Sequence, residues 1–295
     1  MKVIQYNIYF GEHLGTDIET RIASICDCLN HQNAEVVCLQ EVLQNMFGFI
    51  VALLEDTYPY VFPNPKDGLD TSYGTVIFSK YPIMKAIKHK YEFTSMDRDI
   101  KLVMIRRTDR DKIFVCTTHF ESEFNNGCMK KMYQYDRCSD ILNQLYKRHN
   151  IPIIFCSDTN VCDKTENNFD SAFSYTAQGW KDAWIETGSD LLSKYTFDSE
   201  SNPILIQRYK NPKLFRSRLD RILHLSNFEC IDCKLIGGDG IIMSDHYGII
   251  CTFSDIDPQS IRKDYMTNLT EGYDSLPGKK TLSDKSSNIY NNKMF

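Results

Sequence analysis

Residues 151–160 read I-P-I-I-F-C-S-D-T-N, and this stretch decides the fold. Its first part is a short run of β-branched and aromatic side chains, which predicts a central strand buried on both faces. The run ends in Asp158 and Asn160, two side chains that can bind a cation or a phosphate. Because side chains alternate along an extended chain, we expect both to point the same way at the mouth of the strand. Taken alone, an Asp-x-Asn sequence after a strand more often only forms a turn.

Helical and extended patterns alternate on either side of this strand, which predicts an α/β fold with two sheets packed face to face and helices outside. Thr16 and Glu19 suggest a capping box at the start of the first helix. Short links make us expect the strands between residues 58 and 118 to be antiparallel neighbours, and 219–225 to pair with 228–236. The other expected strands are 3–9, 35–39 and 247–253, and the expected helices are 16–30, 44–55, 127–149 and a broken stretch at 163–184.

The composition is that of an ordinary globular protein. The formal net charge of -5 gives no overall basic field, so any polyanion must be held locally. The 11 cysteines lie at no framework spacing, which favours a reducing compartment. With no signal peptide or membrane span, we expect a cytoplasmic or nuclear protein rather than a secreted one. Apolar periodicity ends near residue 255, which predicts a folded domain over 1–254 and a polar, disordered tail over 255–295.

Polar side chains able to bind ions follow several predicted strands, and in a layered fold they could converge on one pocket. They are Asn7, Glu41, His119, Asp158, Asn160, Asp220, Asp245 and His246. Oxygen ligands without a Cys or His cluster favour Mg²⁺ or Mn²⁺ over zinc. Each residue alone has an ordinary explanation, as a turn residue, a helix-terminal charge, a core histidine or a member of a surface ion pair. The repetition at strand ends favours a site, and two histidines beside a metal suit phosphodiester chemistry.

Four short motifs carry a resemblance to a known family. They are L-Q-E at 39–41, S-D-T-N at 157–160, R-L-D-R at 218–221 and S-D-H at 244–246, and they resemble the motifs of the endonuclease/exonuclease/phosphatase family. The resemblance covers roughly residues 1–254 and implies a four-layered α/β sandwich with metal-dependent phosphoesterase activity. Further segments, such as T-H-F-E-S at 118–122, resemble the members that release tyrosine-linked protein from DNA 5′ ends. That implies in-line hydrolysis without a covalent intermediate, which leaves a 5′-phosphate.

The resemblance also implies which residues bind the metal and which position the attacking water. Glu41 is expected to ligate Mg²⁺, with Asp245 at or near the ion. Asp158 is expected to orient or deprotonate the attacking water, while Asn160 and Asn7 position water and phosphate.

The remaining roles concern the phosphate oxygens. His119 and His246 are expected to donate hydrogen bonds to the nonbridging oxygens as charge builds. Asp220 is expected to hold His246 in the right tautomer.

The expected partner is a DNA 5′ end that carries a tyrosyl adduct and is single-stranded at the site. We expect the protein to be a monomer and not to bind a membrane. The candidate substrate contacts are Tyr73, Arg98, Trp184, Arg208 and Lys210. Packing in the core explains Trp184 equally well. The basic run 208–221 would suit the backbone and bases of a DNA strand, and a solvated loop explains it equally well.

Two departures from the family pattern bear on the substrate. Cys162 and Phe124 stand where arginines are expected, which leaves the phosphotyrosyl preference open. Alternative targets are abasic or general nucleic acid, poly(A), and a lipid or inositol phosphate. A catalytically silent nucleic-acid-binding member is the alternative outside enzymes.

Overall fold

The computed structural model describes residues 1–11, 17–108, 111–122, 127–162, 165–174, 179–209, 215–238 and 243–254. Met1–Ser254 form one compact unit. The expected tail at 255–295, Lys210 and Phe124 lie outside the described residues, so the predictions about them stay open. Among the described residues, no helix has the length and apolar character needed to cross a membrane.

Fourteen strands and six α-helices make up the described fold. The strands are β1 (Lys2–Asn7), β2 (Val36–Leu43), β3 (Tyr60–Phe62), β4 (Tyr73–Ser79), β5 (Ile83–Lys90), β6 (Asp99–Arg106), β7 (Lys112–His119), β8 (Ile153–Asp158), β9 (Lys181–Asp182), β10 (Phe197–Asp198), β11 (Arg216–Ser217), β12 (Asp220–Leu225), β13 (Cys230–Ile236) and β14 (Gly248–Phe253). The helices are α1 (Ile18–Gln32), α2 (Gln44–Leu54), α3 (Gly127–His149), α4 (Glu166–Ala172), α5 (Ala183–Glu186) and α6 (Pro203–Arg208), and a 3₁₀ turn covers Leu191–Ser193.

Two six-stranded sheets pack face to face, as the α/β sandwich prediction required. The first has the order β13-β14-β1-β2-β4-β3 and the second β5-β6-β7-β8-β12-β9, while β10 and β11 form a separate ribbon. Strand β8 is fully buried and lies between parallel β7 and antiparallel β12. The register places His119 and Asp220 directly beside Asp158. The central-strand prediction for 151–160 is therefore confirmed.

The two faces of β1 serve different layers because side chains alternate along the strand. Ile4 and Tyr6 belong to the apolar core that includes residues of α1 and α2. Gln5 and Asn7, on the other face, bond to residues of the second sheet. This alternation places polar groups between the sheets at the end of β1.

An aromatic layer packs on the outer side of the second sheet. The ring of Phe120 meets that of Tyr135 on α3 edge to face, with centroids 4.9 Å apart, and Tyr135 meets Phe169 on α4 at 5.1 Å. Edge-to-face pairs of this kind add to the stability that burial supplies. The layer fixes α3 and α4 against β8, which carries Asp158 at its end.

Three local expectations are wrong. β12 and β13 do not pair with each other, because β12 lies beside β8 and β9 in the second sheet and β13 pairs with β14 at the edge of the first. β4 and β5 are not neighbours either, because the chain changes sheets between them. The N-cap of α1 is Asp17, whose carboxylate accepts from the N–H of Thr20, so the helix does not begin at Thr16 as expected, and Thr16 itself lies outside the described residues.

Candidate active site

The carboxylate of Asp158 lies at the centre of the predicted constellation. Its Oδ2 accepts a hydrogen bond from Nδ2 of Asn7 at 2.9 Å, and Nδ2 lies 3.2 Å from Oε1 of Glu41. Nε2 of His119 is 3.2 Å and Nε2 of His246 3.9 Å from the same oxygen of Asp158. The ends of β1, β7 and β8, the part of β2 that holds Glu41 and the segment before β14 therefore meet at one place, and Glu41 lies on the same side of the molecule as His246.

A distortion in β2 brings Glu41 into this group. The backbone of Glu41 has a φ of 60°, and the pairing of β2 with β4 shifts register between Leu39 and Val42. Such a bulge re-aims a side chain, which regular alternation would have sent to the other face of the sheet. Oε2 of Glu41 also accepts from the backbone N–H of Phe10 at 3.0 Å. The sequence located Glu41, whereas its bulge carried no local signal.

His119 is held in one tautomer by its neighbours. Nη1 of Arg98 lies 2.9 Å from Nδ1 of His119. A guanidinium only donates hydrogen bonds, and Nη2 of Arg98 also lies 3.4 Å from Nε2 of His119. The shorter contact at Nδ1, together with the Asp158 carboxylate 3.2 Å from Nε2, favours Nδ1 as the acceptor and a proton on Nε2 of a neutral His119. That proton faces Asp158.

His246 forms a dyad with Asp220 in a buried position. Nδ1 of His246 donates to Oδ2 of Asp220 at 2.7 Å. Burial disfavours the charged imidazole, but Asp220 and then Asp158 more than compensate and raise the pKa of His246 well above its ordinary value. For Asp158, burial acts to raise the pKa, but His119, His246 and the amide of Asn7 together lower it below its ordinary range. The structure therefore favours a protonated His246 beside an ionised Asp158.

Asn160 reaches Asp158 in a different way from the one expected. β8 ends at Asp158, and Asn160 has a φ of 46°, so strand alternation does not extend to it. Its backbone N–H donates to Oδ1 of Asp158 at 3.0 Å, and its side-chain amide donates to the carbonyl of Phe120 at 3.0 Å. Asn160 thus ties the turn after β8 to the end of β7.

Asp245 lies at the edge of the group with one oxygen bonded and one not. Oδ2 accepts from Nη1 of Arg208 at 3.0 Å, whereas Oδ1 is buried and has no hydrogen-bond partner among the described residues. Burial raises the pKa of Asp245, and the charge of Glu41 raises it further. A buried, unpaired acceptor that feels the charge of another carboxylate is a position where a cation would relieve an electrostatic cost.

The donor set in this region suits a hard divalent cation. Glu41 and Asp245 offer carboxylate oxygens, the ligands that Mg²⁺ and Mn²⁺ prefer. Asp158, Asp220 and His246 also bring ligand atoms within 4.8 Å of one another. In that second group, however, the hydrogen bond to Asp220 already occupies one nitrogen of His246. The unsatisfied oxygen of Asp245 makes the Glu41 side the better fit.

Tyr73 and Arg98 form a surface beside the histidine. The guanidinium of Arg98 lies 5.6 Å from the centroid of the Tyr73 ring, and that ring stacks on Phe10 at 4.7 Å. Phe10 is 41% exposed and Arg98 only 5%, so the aromatic side of this group is open to solvent while the guanidinium lies behind it. A cationic and aromatic surface of this kind can receive a flat aromatic group.

The other candidate substrate contacts are more dispersed. Trp184 donates from Nε1 to the carbonyl of Asp190, and the guanidinium of Arg218 lies 4.7 Å from its ring. These contacts lie in a separate cleft of about 400 Å³ that also includes Cys162. Arg208 is at the site through Asp245, and the role of Trp184 as a substrate contact stays a prediction.

The basic run contributes less free charge than its sequence suggests. Arg216 pairs with Asp198 at 3.0 Å, and Arg218 with Asp182 at 2.7 Å. Asp220 pairs with His246 instead of with the arginines beside it in sequence. Arg221 is buried, so the described part of the run is not a solvated loop, and a role of the run in DNA binding stays a prediction.

Sequence reasoning missed a polar bridge between the two sheets. Nε2 of Gln5 donates to Oδ1 of Asp220 at 2.8 Å and to Oε1 of Gln40 at 2.5 Å, and Gln40 donates to Oγ1 of Thr117 at 3.0 Å. The signal was present, because Gln5 precedes Asn7 by two residues on β1 and so shares its face. The bridge fixes the carboxylate that orients His246.

Arg21 is a second missed residue, and it holds the segment after β1. Its guanidinium is buried and donates to the carbonyls of Ile8, Tyr9 and Met243. It thereby joins the loop that follows Asn7 to the one that precedes Asp245. Helical periodicity alone could not have assigned this role to a charged residue on α1.

Comparison with known proteins agrees with this geometry. A sequence profile of the endonuclease/exonuclease/phosphatase family matches residues 4–246. A curated relative from Danio rerio, "Tyrosyl-DNA phosphodiesterase 2", is 25% identical over 276 residues, which are 86% of this chain and 67% of that protein. The "5'-tyrosyl-DNA phosphodiesterase" of Caenorhabditis briggsae is 25% identical over 252 residues, 81% of this chain and 66% of that protein. The chain thus spans about two thirds of the length of these relatives.

Solved structures share the fold. The crystal structure of TDP2 from C. elegans superposes with a TM-score of 0.73 at 23% identity and covers 86% of this chain and 75% of its own. The D. rerio TDP2 structure, complexed with a single-strand DNA product, has a TM-score of 0.71 at 23% identity and covers 86% and 99%. Both likenesses confirm the α/β sandwich.

Proposed function

The chain belongs to the endonuclease/exonuclease/phosphatase family, and from this premise we propose that it is a divalent-metal-dependent phosphodiesterase. Its proposed substrate is the 5′-phosphotyrosyl bond between DNA and a protein or peptide, and its proposed products are a 5′-phosphate and a free tyrosine. The names of the curated relatives support this choice among the family's phosphoesters. Such a substrate places the enzyme in DNA repair, in the nucleus or the cytoplasm, and we propose that it acts as a monomer.

One observation carries the proposal: an unbroken set of short contacts joins Glu41, Asn7, Asp158 and His246. These residues come from distant parts of the chain and are almost fully buried together, except for Glu41 at the rim. Burial of so many ionisable groups is costly, which is typical of functional sites rather than of plain cores.

Asp158 is the proposed group that orients the attacking water. Its low pKa keeps it ionised, so it accepts hydrogen bonds well but is a weak base. Orientation of the water therefore fits Asp158 better than full removal of its proton in the ground state. Asn7 and Asn160 hold the carboxylate from both sides, through Oδ2 and Oδ1.

The two histidines are the proposed donors to the nonbridging phosphate oxygens. His246 is kept protonated by Asp220, and His119 presents its Nε2 proton because Arg98 occupies Nδ1. Fixed donors that are aimed before the reaction cost no reorganisation when charge builds on the phosphate. Both histidines reach the same side of Asp158, so water and phosphate would meet between them.

Glu41 and Asp245 are the proposed holders of the divalent cation. When bound, the metal would stabilise negative charge on the phosphoryl oxygens. The unsatisfied Oδ1 of Asp245 and its repulsion from Glu41 support this position. Among the two metals that suit these ligands we propose Mg²⁺, with Mn²⁺ as its substitute.

Tyr73 and Arg98 are the proposed contacts for the aromatic part of the substrate, and Arg208, Lys210 and Trp184 remain further proposed contacts. Arg98 faces Tyr73 at cation–π distance and His119 at hydrogen-bond distance. A tyrosyl ring or the terminal base of a single strand could stack there. Cys162 lines the separate cleft beside Trp184, and Phe124 lies outside the described residues.

The test is an assay of three substrates: a 5′-phosphotyrosyl oligonucleotide, abasic DNA and poly(A), each with Mg²⁺ and with EDTA. We expect metal-dependent release of tyrosine from the first substrate. If the first substrate yields no metal-dependent product, the proposed specificity is wrong.

A variant separates catalysis from binding. Asp158→Asn should reduce kcat by about 10²- to 10⁴-fold, the usual contribution of a positioned proton-handling group, while DNA binding persists. Asp27→Asn, an exposed change on α1, is the matched control. Full turnover by Asp158→Asn would exclude the role assigned to this residue.

A further inference from the structure

Glu121 is a buried carboxylate outside the set of groups assigned to the reaction, two residues after His119. It has no solvent exposure, and a single oxygen, Oε1, accepts three hydrogen bonds. The donors are Oγ1 of Thr94 at 2.6 Å, the N–H of Ser95 at 2.6 Å and the N–H of Met96 at 3.1 Å. We propose that Glu121 is a positioning residue that sets Arg98 in place and, through Arg98, fixes the tautomer of His119.

The connection from Glu121 to Arg98 runs through the turn between β5 and β6. Oγ1 of Thr94 donates to Glu121 and accepts from the backbone N–H of Arg98 at 2.8 Å. Asp97, between them, has a φ of 53°, a conformation that a residue with a side chain adopts at a cost. Surrounding contacts must hold such a turn, and Glu121 supplies the three hydrogen bonds to its first half.

The connection from Arg98 to the site is also direct. Arg98 is 5% exposed, and Nη1 meets Nδ1 of His119 at 2.9 Å while Nη2 donates to Sδ of Met96 at 3.4 Å. An arginine side chain has many rotamers, so this single geometry requires an anchored backbone. A shifted Arg98 would release Nδ1 of His119, which could then carry the proton that Nε2 must present.

The opposite charges of Glu121 and Arg98 also help to hold Arg98 in place. Oε2 of Glu121 and Nε of Arg98 are both buried, and neither has a hydrogen-bond partner among the described residues. The carboxylate and the guanidinium attract each other without that bond. Glu121 therefore acts on Arg98 by backbone placement and by charge.

The alternative is that Glu121 merely stabilises the fold, and a double-mutant cycle distinguishes the two. The cycle measures kcat/KM for wild type, Glu121→Ala, Arg98→Ala and the double variant. The substrates are a 5′-phosphotyrosyl oligonucleotide, whose choice rests on the proposed function, and thymidine 5′-(p-nitrophenyl phosphate), a general phosphodiester.

We expect Glu121→Ala to lower kcat/KM by about tenfold or more in the wild-type background, since a misplacement of about 1 Å can cost about 10²-fold. In the Arg98→Ala background the same change should have less than about a twofold effect, because the group it positions is already gone. A merely structural role would give the same loss in both backgrounds, and that result would overturn the proposal. Glu92→Ala, an exposed change before the same turn, is the matched control and should leave kcat/KM unchanged.

Amide hydrogen exchange tests the positioning without any substrate. The N–H groups of Ser95, Met96 and Arg98 should exchange faster in Glu121→Ala, while those of β8 should keep their protection. Glu121→Gln, which keeps the size and one acceptor oxygen, should give an intermediate rate and replaces the alanine variant if that one does not fold. Unchanged exchange at Ser95 and Met96 would overturn the inference. If wild type cleaves neither substrate, the proposed function fails, and the exchange result still decides the role of Glu121.

Discussion

Replacing Asp220 with Asn should slow catalysis while the protein stays folded, because the change removes the charge that holds a proton on His246. Oδ2 of Asp220 lies 2.7 Å from Nδ1 of His246, and both side chains are buried. A hydrogen bond to a charged group contributes about 1.5 to 3 kcal/mol, and a neutral one about 1 kcal/mol. If the charged bond is needed in the transition state, the loss of about 1 to 2 kcal/mol corresponds to about 5- to 30-fold in kcat/KM.

The same substitution should change the pH dependence of the reaction. Asp220 is the group that does most to raise the pKa of His246 against the effect of burial. Without this charge the pKa of His246 falls, so the imidazole loses its proton at a lower pH. Because the protonated form is the proposed donor, the alkaline limb of the kcat/KM profile should move to lower pH in Asp220→Asn.

The assay is a pH series of kcat/KM for wild type and Asp220→Asn, with Asp27→Asn as a control for an exposed carboxylate. NMR titration of the His246 ring proton in both proteins reports the pKa directly, and thermal unfolding reports the fold. An alkaline limb that stays in place although the pKa of His246 falls would refute the role of its proton. An unchanged pKa of His246 would refute the electrostatic argument itself.

Two further predictions concern the metal and the fold. EDTA should abolish hydrolysis, and added Mg²⁺ or Mn²⁺ should restore it. Glu41→Gln should raise the Mg²⁺ concentration needed for the half-maximal rate, which a metal titration would measure. An unchanged Mg²⁺ requirement would exclude Glu41 as a ligand. Asp182→Asn should lower the free energy of unfolding by about 3 to 5 kcal/mol near neutral pH, because the guanidinium of Arg218 loses the buried carboxylate that accepts two of its hydrogen bonds. Burial acts to raise the pKa of Asp182, but Arg218 lowers it below the ordinary 3.8, so this stability is present above pH 3.8 and is lost as the pH falls further. Urea unfolding of wild type and Asp182→Asn near neutral pH and below pH 3.8 measures this loss. An equal difference in unfolding free energy between the two proteins at both pH values would contradict the argument.

Elements whose signals are local could be predicted from the sequence. The expected helix at 127–149 matches α3, and the expected strand at 247–253 matches β14 except for its first residue. Both signals come from the spacing of apolar residues within one segment. The first residue of α1 was less well predicted, because Asp17 and Thr16 are both good N-caps and only the fold selects between them.

Strand partners could not be predicted in the same way. β12 and β13 follow one another closely and resemble a hairpin, yet they belong to different sheets. Their burial differs, since every residue of β12 is buried whereas β13 has buried and exposed positions in turn. A fully buried strand requires neighbours on both sides, and β8 and β9 supply them. Continuous burial is thus the physical reason why β12 left its sequence neighbour.

The candidate site divides along the same line. The identity of its charged groups followed from polar residues at strand ends, because those positions are fixed by local pattern. The contacts that orient them did not follow, since the bulge at Glu41 and the pairing of Arg208 with Asp245 depend on segments far apart in sequence. Gln5 is the exception, because it precedes Asn7 by two residues on β1 and its place on the same face could have been predicted.

The charges of the site give an independent reason to expect a cation. The carboxylates of Glu41, Asp158, Asp220 and Asp245 meet at the ends of the two sheets, and protonated His246 and Arg208 balance only those nearest to them. The charge of Glu41 raises the pKa of Asp245, and one buried oxygen of Asp245 lacks a partner among the described residues. A protein can meet such a cost by protonating a carboxylate or by binding a metal. Phosphoryl transfer needs positive charge at the point where the phosphate oxygens become more negative, so a cation between Glu41 and Asp245 satisfies both the resting site and the reaction.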